Sequence, residues 1–180
     1  METSKEKSKT LKIVMCALFA AIIAVSAQVT VPLPTNVPIT LHTFGVALCA
    51  AVGGAVTGTV STAVYVLIGA VGLPVFAGMK GGFAVLFGPT GGFLFGFIIM
   101  AFFCGLQMKN LPLRIAVSIG GLALCYLCGA VQYAVLAQID LIQSIVLVVL
   151  PFAVKDILSV CAAQYMAIPI RKALAKTIHY

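Results

Sequence analysis

The sequence predicts an all-α integral membrane protein with about six transmembrane helices that form a single membrane domain over residues 1–180. Hydrophobic residues make up 62% of the chain and charged residues only 8%, whereas a soluble domain is roughly one quarter charged. The apolar stretches also approach about 20 residues, the length that a helix needs to cross the hydrocarbon core. Such a chain cannot build a polar surface, so we expect it to be stable only in a bilayer.

The basic residues predict which helix ends lie in the cytoplasm. Four lysines precede or open the first apolar stretch, Lys109 and Arg114 flank a break, and three basic residues follow the last stretch. With the N-terminus inside, nine of the eleven basic residues fall on the inner side, as the positive-inside rule requires. We therefore predict that the N-terminal segment 1–10 and the C-terminal tail 171–180 are cytoplasmic. Because the charges lie at helix ends, they indicate topology and not a nucleic-acid-binding face.

Proline and glycine divide the chain into the predicted helices 11–29, 41–56, 58–76, 92–106, 115–137 and 141–170. Three prolines between Thr30 and Thr40 exclude an ordinary helix there, since proline removes a backbone donor and restricts the residue before it. Glycines provide a short join between the second and third helices, and Pro151 is expected to kink the last helix.

Residues 78–92 combine glycine with large apolar side chains in the sequence GMKGGFAVLFGPTGG. A polar linker lacks such side chains, and glycine allows backbone conformations that other residues avoid. We therefore predict a structured loop that packs onto the outer side of the protein. Lys80 in this loop is either a solvated charge or a group that attracts an anionic ligand to an outward-open pocket.

Lys155 and Asp156 interrupt the apolar sequence of the last helix. A charge inside a membrane helix is costly and rarely faces lipid. The two side chains either neutralise each other and fix helix packing, or face an internal cavity and hold a polar group of a ligand. Adjacent residues point about 100° apart on a regular helix, so we do not expect both to face the same way without local distortion. We favour the ligand interpretation, most strongly for Asp156.

Other polar residues of the apolar stretches are weaker candidates. His42 and Thr43 open the second helix, where capping, or a satisfied interfacial histidine, is the expected role. Gln132 and Tyr133 in the fifth helix and Gln164 in the sixth either line a cavity or bond across helices.

Cys125 and Cys128 form a CxxC pattern within an apolar helix. No His or Asp lies nearby in sequence to complete a site, so we predict buried thiols that behave as small apolar groups and no metal site. The sequence contains no HExxH, GxSxG or Walker motif. We therefore predict no enzymatic activity and no catalytic residues, and active transport by this chain would need a separate energy source.

Four segments together resemble a known family of membrane proteins. In chain order they are PITLHTF (38–44), GLPVFAG (72–78), LFGPTGGFLFGF (86–97) and PFAVKD (151–156). Their order and spacing are similar to those of the BioY family, the substrate-binding subunits (S components) of biotin transporters of the energy-coupling factor class. The resemblance covers nearly the whole chain. It implies a compact six-helix bundle in the cell membrane of a prokaryote that binds biotin near its outer face.

The resemblance also implies partners and site residues. The implied partners are biotin, the lipid bilayer, a transmembrane scaffold subunit and two ATP-hydrolysing subunits, and no cofactor is implied. The implied ligand-binding residues are Thr43, Phe76, Gly78, Lys80, Phe83, Tyr133, Lys155 and Asp156. The implied scaffold contact consists of Ala17, Ala21 and Ala24, small residues that allow another helix to approach closely. Packing within this chain is the alternative role for these alanines.

Two positions depart from the family pattern. The family commonly has Gln in its PxTxQT segment, where this chain has His42, and it commonly has Lys three residues after the Asp, where this chain has Ser159. Here the lysine, Lys155, instead precedes Asp156. The alternatives to biotin transport are the same architecture serving another vitamin or small metabolite, a lipid-modifying membrane enzyme, and a scaffold in which the charged pair only fixes packing.

Overall fold

Helices dominate the computed structural model, which describes residues 4–34 and 36–178. In chain order they are α1 (Ser4–Gln28), α2 (His42–Ala70), α3 (Phe83–Leu86), α4 (Gly91–Cys104), α5 (Leu111–Ala137), α6 (Leu141–Val148) and α7 (Leu150–Ile178). A small antiparallel hairpin of β1 (Thr30–Val31) and β2 (Ile39–Thr40) pairs Thr30 with Thr40 and Val31 with Ile39. The described residues are mostly helical, as predicted, and this hairpin lies in the segment predicted to be a loop, where the prolines favour extended backbone.

The helices at both ends of the chain are longer than the sequence predicted. α1 begins at Ser4 and α7 continues to Ile178, so the described parts of the segments 1–10 and 171–180 are helical. Residues 1–3 and 179–180 of those segments lie outside the described residues. Lysine and arginine are good helix formers, which allows each helix to continue past its apolar stretch. α5 likewise begins at Leu111, because Pro112 occupies a first-turn position where its missing N–H costs little.

α2 consists of two helical halves that meet at Gly54, where the backbone is not helical (φ 84°, ψ 170°). A Cβ added to Gly58 would lie 2.5 Å from the Cα atom of Ala50. In a straight helix, residues eight apart are separated by about 12 Å, so this contact shows that the halves fold back against each other. Glycine adopts the required positive φ without a steric penalty, and the predicted break between two helices is confirmed.

Four helical stretches of the described residues are long and apolar enough to cross a membrane: Lys9–Gln28, His42–Ala70, Leu111–Ala137 and Leu150–Lys176. α4 is a shorter apolar helix. The last predicted helix is divided at Val149, where the backbone between α6 and α7 leaves the helical region (φ −120°). Pro151 lies in the first turn of α7, close to the expected kink, and proline is well tolerated at that position.

α4 occupies the centre of the bundle between α2 and α5, while α1 and α7 pack against α2. Small residues allow α4 and α5 to approach closely. A Cβ added to Gly96 would lie 2.7 Å from the Cα atom of Cys125. The interior around this contact is filled by the buried side chains of Met100, Cys104 and Leu122.

Gly96→Ala is expected to lower the thermal unfolding temperature, because the added methyl group would overlap the backbone of α5 and overpacking costs about 1–3 kcal/mol. Gly120→Ala is the matched control, since no heavy atom outside its own helix lies within 4 Å of its added Cβ. Alanine favours a helix by up to about 1 kcal/mol over glycine, so this control should be as stable as the parent or more stable. Equal unfolding temperatures for the two variants in one detergent would contradict the close packing of α4 on α5.

Candidate ligand-binding site

A cavity of about 490 Å³ opens between the β1–β2 hairpin, the start of α2, the segment 71–82, α4, α5 and α7. Most of its wall is apolar, with the aromatic side chains of Phe76, Phe93, Phe97 and Phe152. A few polar side chains interrupt this wall, namely His42, Thr43, Lys80, Tyr126, Lys155 and Asp156. A cavity of this volume, mostly apolar with a few placed polar groups, is typical of a site for a small organic molecule.

Asp156 and Lys155 both line the cavity and form an ion pair with each other. The Asp156 side chain is buried, and its Oδ2 atom accepts a hydrogen bond of 2.9 Å from the hydroxyl of Tyr126 on α5. The expectation that these adjacent residues would face different ways is wrong, because the flexible four-carbon stem of lysine lets its ammonium group turn back towards the carboxylate. The two roles considered for the pair, mutual neutralisation and exposure to a cavity, are thus combined in one arrangement.

Lys155 also connects α7 to the hairpin. Its Nζ atom donates a hydrogen bond of 2.6 Å to the backbone carbonyl of Thr40 in β2. The hairpin wall of the cavity, which includes Asn36 and Pro38, is therefore fixed to the same helix that carries Asp156. The lysine contacts the protein on two sides and is half-buried.

His42 is a cavity residue that the sequence did not predict. Its side chain is 3% exposed and lies against Tyr65 and Phe97, with ring centroids separated by 5.0 Å and 4.2 Å. Its Nε2 atom is buried and has no hydrogen-bond partner among the described residues. The expectation of a capping or satisfied histidine is therefore wrong. An unpaired buried polar group costs about 1–3 kcal/mol, so a ligand atom that bonds this nitrogen would recover that cost.

Phe76 and Lys80 enter the cavity wall from the segment between α2 and α3. The buried ring of Phe76 lies against Gly69, where an added Cβ would come within 2.2 Å of the ring, and packs edge-on against Tyr65. The Phe76 N–H donates to the Lys80 carbonyl at 2.9 Å and the Lys80 N–H donates back at 3.3 Å, which closes a tight turn. Lys80 is exposed at the rim of the cavity. Within the described part of the chain it forms no ion pair with an acidic side chain.

Three residues proposed from the resemblance do not line the cavity. Gly78 is exposed within the Phe76–Lys80 turn, and Phe83 is 64% exposed while its neighbour Ala84 lines the wall. Tyr133 packs against the apolar core, and Tyr126, about two turns earlier on α5, reaches the cavity instead. These differences arise because the sequence gives neither the rotation of α5 within the bundle nor the short helix α3.

Aromatic residues of α4 and α7 are the other cavity residues that sequence reasoning missed. Phe93 and Phe97 are four residues apart and therefore share one face of α4, a spacing that is visible in the sequence.

Gln132 on α5 bonds across helices, since its Nε2 atom donates 2.8 Å bonds to the carbonyls of Leu86 and Gly88. These bonds fix the α3–α4 connection, which forms part of the wall.

Two of the three alanines of the predicted partner strip on α1 face away from the core. Ala17 and Ala21 are exposed, while Ala24 is half-buried against the core.

Of the CxxC pair, Cys125 is buried and its thiol donates to the Phe93 carbonyl at 3.6 Å, whereas Cys128 is half-buried. No cluster of three or more His, Cys, Asp or Glu residues that could hold a metal ion occurs in the described ranges.

Comparison with known proteins shows a consistent set of relatives. Residues 1–176 match the model of the BioY family. The biotin transporter BioY of Thermotoga maritima is 38% identical over 89% of this chain and 96% of its own length. The biotin transporter BioY2 of Lactococcus lactis is 33% identical over 97% of this chain and 98% of its own. A solved S-component for biotin from an ECF-type ABC transporter shares the fold, with a TM-score of 0.81 over 96% of this chain and 95% of that chain at 24% identity.

Lys155→Met is expected to destabilise the ligand-free protein, because it leaves the buried Asp156 carboxylate without its countercharge. Breaking a buried pair costs about 3–5 kcal/mol, and we expect no more than the low end here because the Lys155 side chain is 29% exposed. The double variant Lys155→Met/Asp156→Asn removes the unpaired charge and should unfold at a higher temperature than Lys155→Met alone. Thermal unfolding in detergent checks the order, and identical unfolding temperatures for the two variants would show that the pair is not coupled.

Proposed function

This chain belongs to the BioY family, and we propose that it is the substrate-binding membrane subunit of a biotin transporter. Relatives that match almost its entire length are biotin transporters, so its role is transport and not enzymatic catalysis. The observation that carries the proposal is an apolar cavity with the Asp156 carboxylate on its wall. This carboxylate is shielded from solvent but can contact a ligand inside the cavity.

The chemistry of biotin fits the groups on the cavity wall. Its fused ureido and thioether rings have apolar faces that Phe76, Phe93 and Phe97 can cover. The Asp156 carboxylate can accept hydrogen bonds from the ureido N–H groups, which as charge-assisted bonds contribute about 1.5–3 kcal/mol. His42 Nε2 and the Thr43 hydroxyl add neutral polar contacts deep in the site.

The carboxylate tail of biotin would then point towards the rim. Lys80 lies there with its side chain exposed and without an acidic partner among the described residues. Lys155 is already bonded to Asp156 and to the Thr40 carbonyl. Lys80 is therefore the better placed of the two lysines to pair with the tail.

We infer that the chain crosses the membrane six times, with both ends in the cytoplasm of a prokaryotic cell. The crossings would be α1, the two halves of α2, α4, α5 and α7. The distribution of basic residues supports this topology, since it leaves only Lys80 and Asp140 charged in the outer segments. The cavity would then open outwards, because the Lys80 segment forms its rim.

Active transport by this chain would need a separate energy source, because the sequence contains no ATP-binding motif. We propose a transmembrane scaffold subunit and two ATP-hydrolysing subunits as the partners. The exposure of Ala17 and Ala21 on α1 supports a helix–helix contact with the scaffold at that strip.

Equilibrium binding of labelled biotin to the purified full chain in detergent tests the proposal. We expect saturable binding that unlabelled biotin displaces and that other vitamins do not. Asp156→Asn should weaken binding by about 10- to 100-fold, because the charge-assisted bonds are lost. Asp140→Asn is the matched control, since Asp140 only caps α6 through the N–H of Ile142 and does not line the cavity. Displacement by a different vitamin, or no binding by a well-folded sample, would refute the biotin assignment.

Lys80→Gln should weaken the binding of biotin by up to about fivefold, the range of an exposed ion pair, and should leave the binding of biotin methyl ester unchanged. The ester has no charged tail, so the comparison isolates the Lys80–carboxylate contact. Lys109→Gln, which changes the charge of an exposed lysine outside the cavity wall, serves as the control. An equal loss of affinity for both ligands would show that Lys80 does not recognise the tail.

A further inference from the structure

Gln28, the last residue of α1, is bonded to the segment that carries Phe76 and Lys80 to the cavity. Its Nε2 atom donates to the carbonyls of Val75 at 3.0 Å and Phe76 at 3.2 Å, and a third, longer contact of 3.3 Å reaches the Ala24 carbonyl of its own helix. Its Oε1 atom accepts a bond of 3.1 Å from the N–H of Met79. A primary amide offers two hydrogens and a carbonyl oxygen, so one side chain can serve both arms of the turn.

The turn depends on support from outside itself. Between the mutually bonded Phe76 and Lys80, both Gly78 (φ 70°) and Met79 (φ 57°) have left-handed backbones. This conformation is unfavourable for a residue with a side chain and persists only where the surroundings hold it. The Met79 side chain is 66% exposed, so packing does not hold it. The bond from its N–H to Gln28 is the restraint that the structure shows.

α2 contacts this segment before and after its left-handed residues. The Tyr65 hydroxyl donates to the Val75 carbonyl at 3.3 Å, and the Phe76 ring lies on Gly69 of the same helix, α2. Both contacts act before the left-handed residues, and the Gly82 N–H donates to the Gly69 carbonyl at 2.7 Å only beyond Lys80. Met79 itself is bonded to Gln28 on α1.

We propose that Gln28 is a positioning residue that keeps the Phe76–Lys80 wall over the bound ligand and thereby slows ligand release. Gln28 does not line the cavity itself, so it acts through the turn. The identity of the ligand as biotin rests on the proposed function, whereas the restraint on the turn does not. Because Gln28 ends the helix that carries the exposed Ala17 and Ala21, a displacement of α1 would break these bonds and free the wall.

Gln28→Met tests the proposal, because methionine has a similar length and neither donates nor accepts these bonds. We expect the dissociation rate of biotin to rise about tenfold or more, since each lost hydrogen bond is equivalent to roughly a fivefold change. The Met79 amide should exchange its hydrogen faster in the ligand-free protein. The turn can open locally without unfolding the bundle, so the ligand-free unfolding temperature should fall no further than in the control.

Gln107→Met is the matched control. That glutamine also bonds another element, through the Arg171 guanidinium of α7, and it does not line the cavity. Biotin dissociation at the parental rate from Gln28→Met, or an equally faster release from both variants, would overturn the proposal.

Two further outcomes are distinguishable. If the parent chain binds no biotin, the proposed function fails. Hydrogen exchange of the Met79 amide then still tests the restraint. Exchange in Gln28→Met at the parental rate would overturn the restraint, and faster exchange would support it. If Gln28→Met does not fold, Gln28→Glu keeps the acceptor for Met79 and loses both donors. We then expect biotin to leave this variant faster than the parent, and release at the parental rate would overturn the proposal.

Discussion

The buried carboxylate of Asp156 is the constraint on which the cavity end of this bundle depends. A charge within a membrane helix requires partners that face the interior. Here Lys155 supplies the countercharge and Tyr126 on α5 supplies a hydrogen bond. The same lysine bonds the Thr40 carbonyl, so the contacts of this ion pair join α7, α5 and the β1–β2 hairpin. These three elements form part of the cavity wall.

A second polar network fixes the same helices away from the cavity. Gln164 on α7 is fully buried; it accepts a 2.8 Å bond from Arg114 and donates to Ser118 at 2.7 Å and to the Cys104 carbonyl at 2.9 Å. These bonds join α7 to α5 and to the end of α4 without a second buried acidic residue. Together with the close glycine contacts of α4, these bonds fix the relative positions of α4, α5 and α7. The hairpin and the Phe76–Lys80 turn are the non-helical walls of the cavity.

The sequence predicted the membrane character from its composition, the helix breaks at Gly54 and near Pro151 from glycine and proline, and a cavity position for Lys155 and Asp156 from their charge. These features did not predict His42 or Tyr126 as cavity residues, because the rotation of a helix within a uniformly apolar bundle is set by packing and leaves little amphipathic pattern in the sequence. The joint orientation of Lys155 and Asp156 was missed for a different reason. Helix geometry fixes the direction of the Cα–Cβ bond, but the lysine side chain is long enough to bring its ammonium group back to the neighbouring carboxylate.

The position of Lys155 before Asp156 also determines the charge that the cavity offers a ligand. Lysine at 155 and aspartate at 156 neutralise each other, and Lys80 then remains as the cation at the rim, unpaired within the described residues. With the histidine counted as neutral, the ionisable side chains of the wall sum to one positive charge, since two lysines face one aspartate. A ligand with a neutral ring system and one carboxylate would complete this balance, its rings meeting the Asp156 end and its charge the Lys80 end. A dianionic or cationic ligand would leave charge uncompensated in an apolar cavity, which is costly.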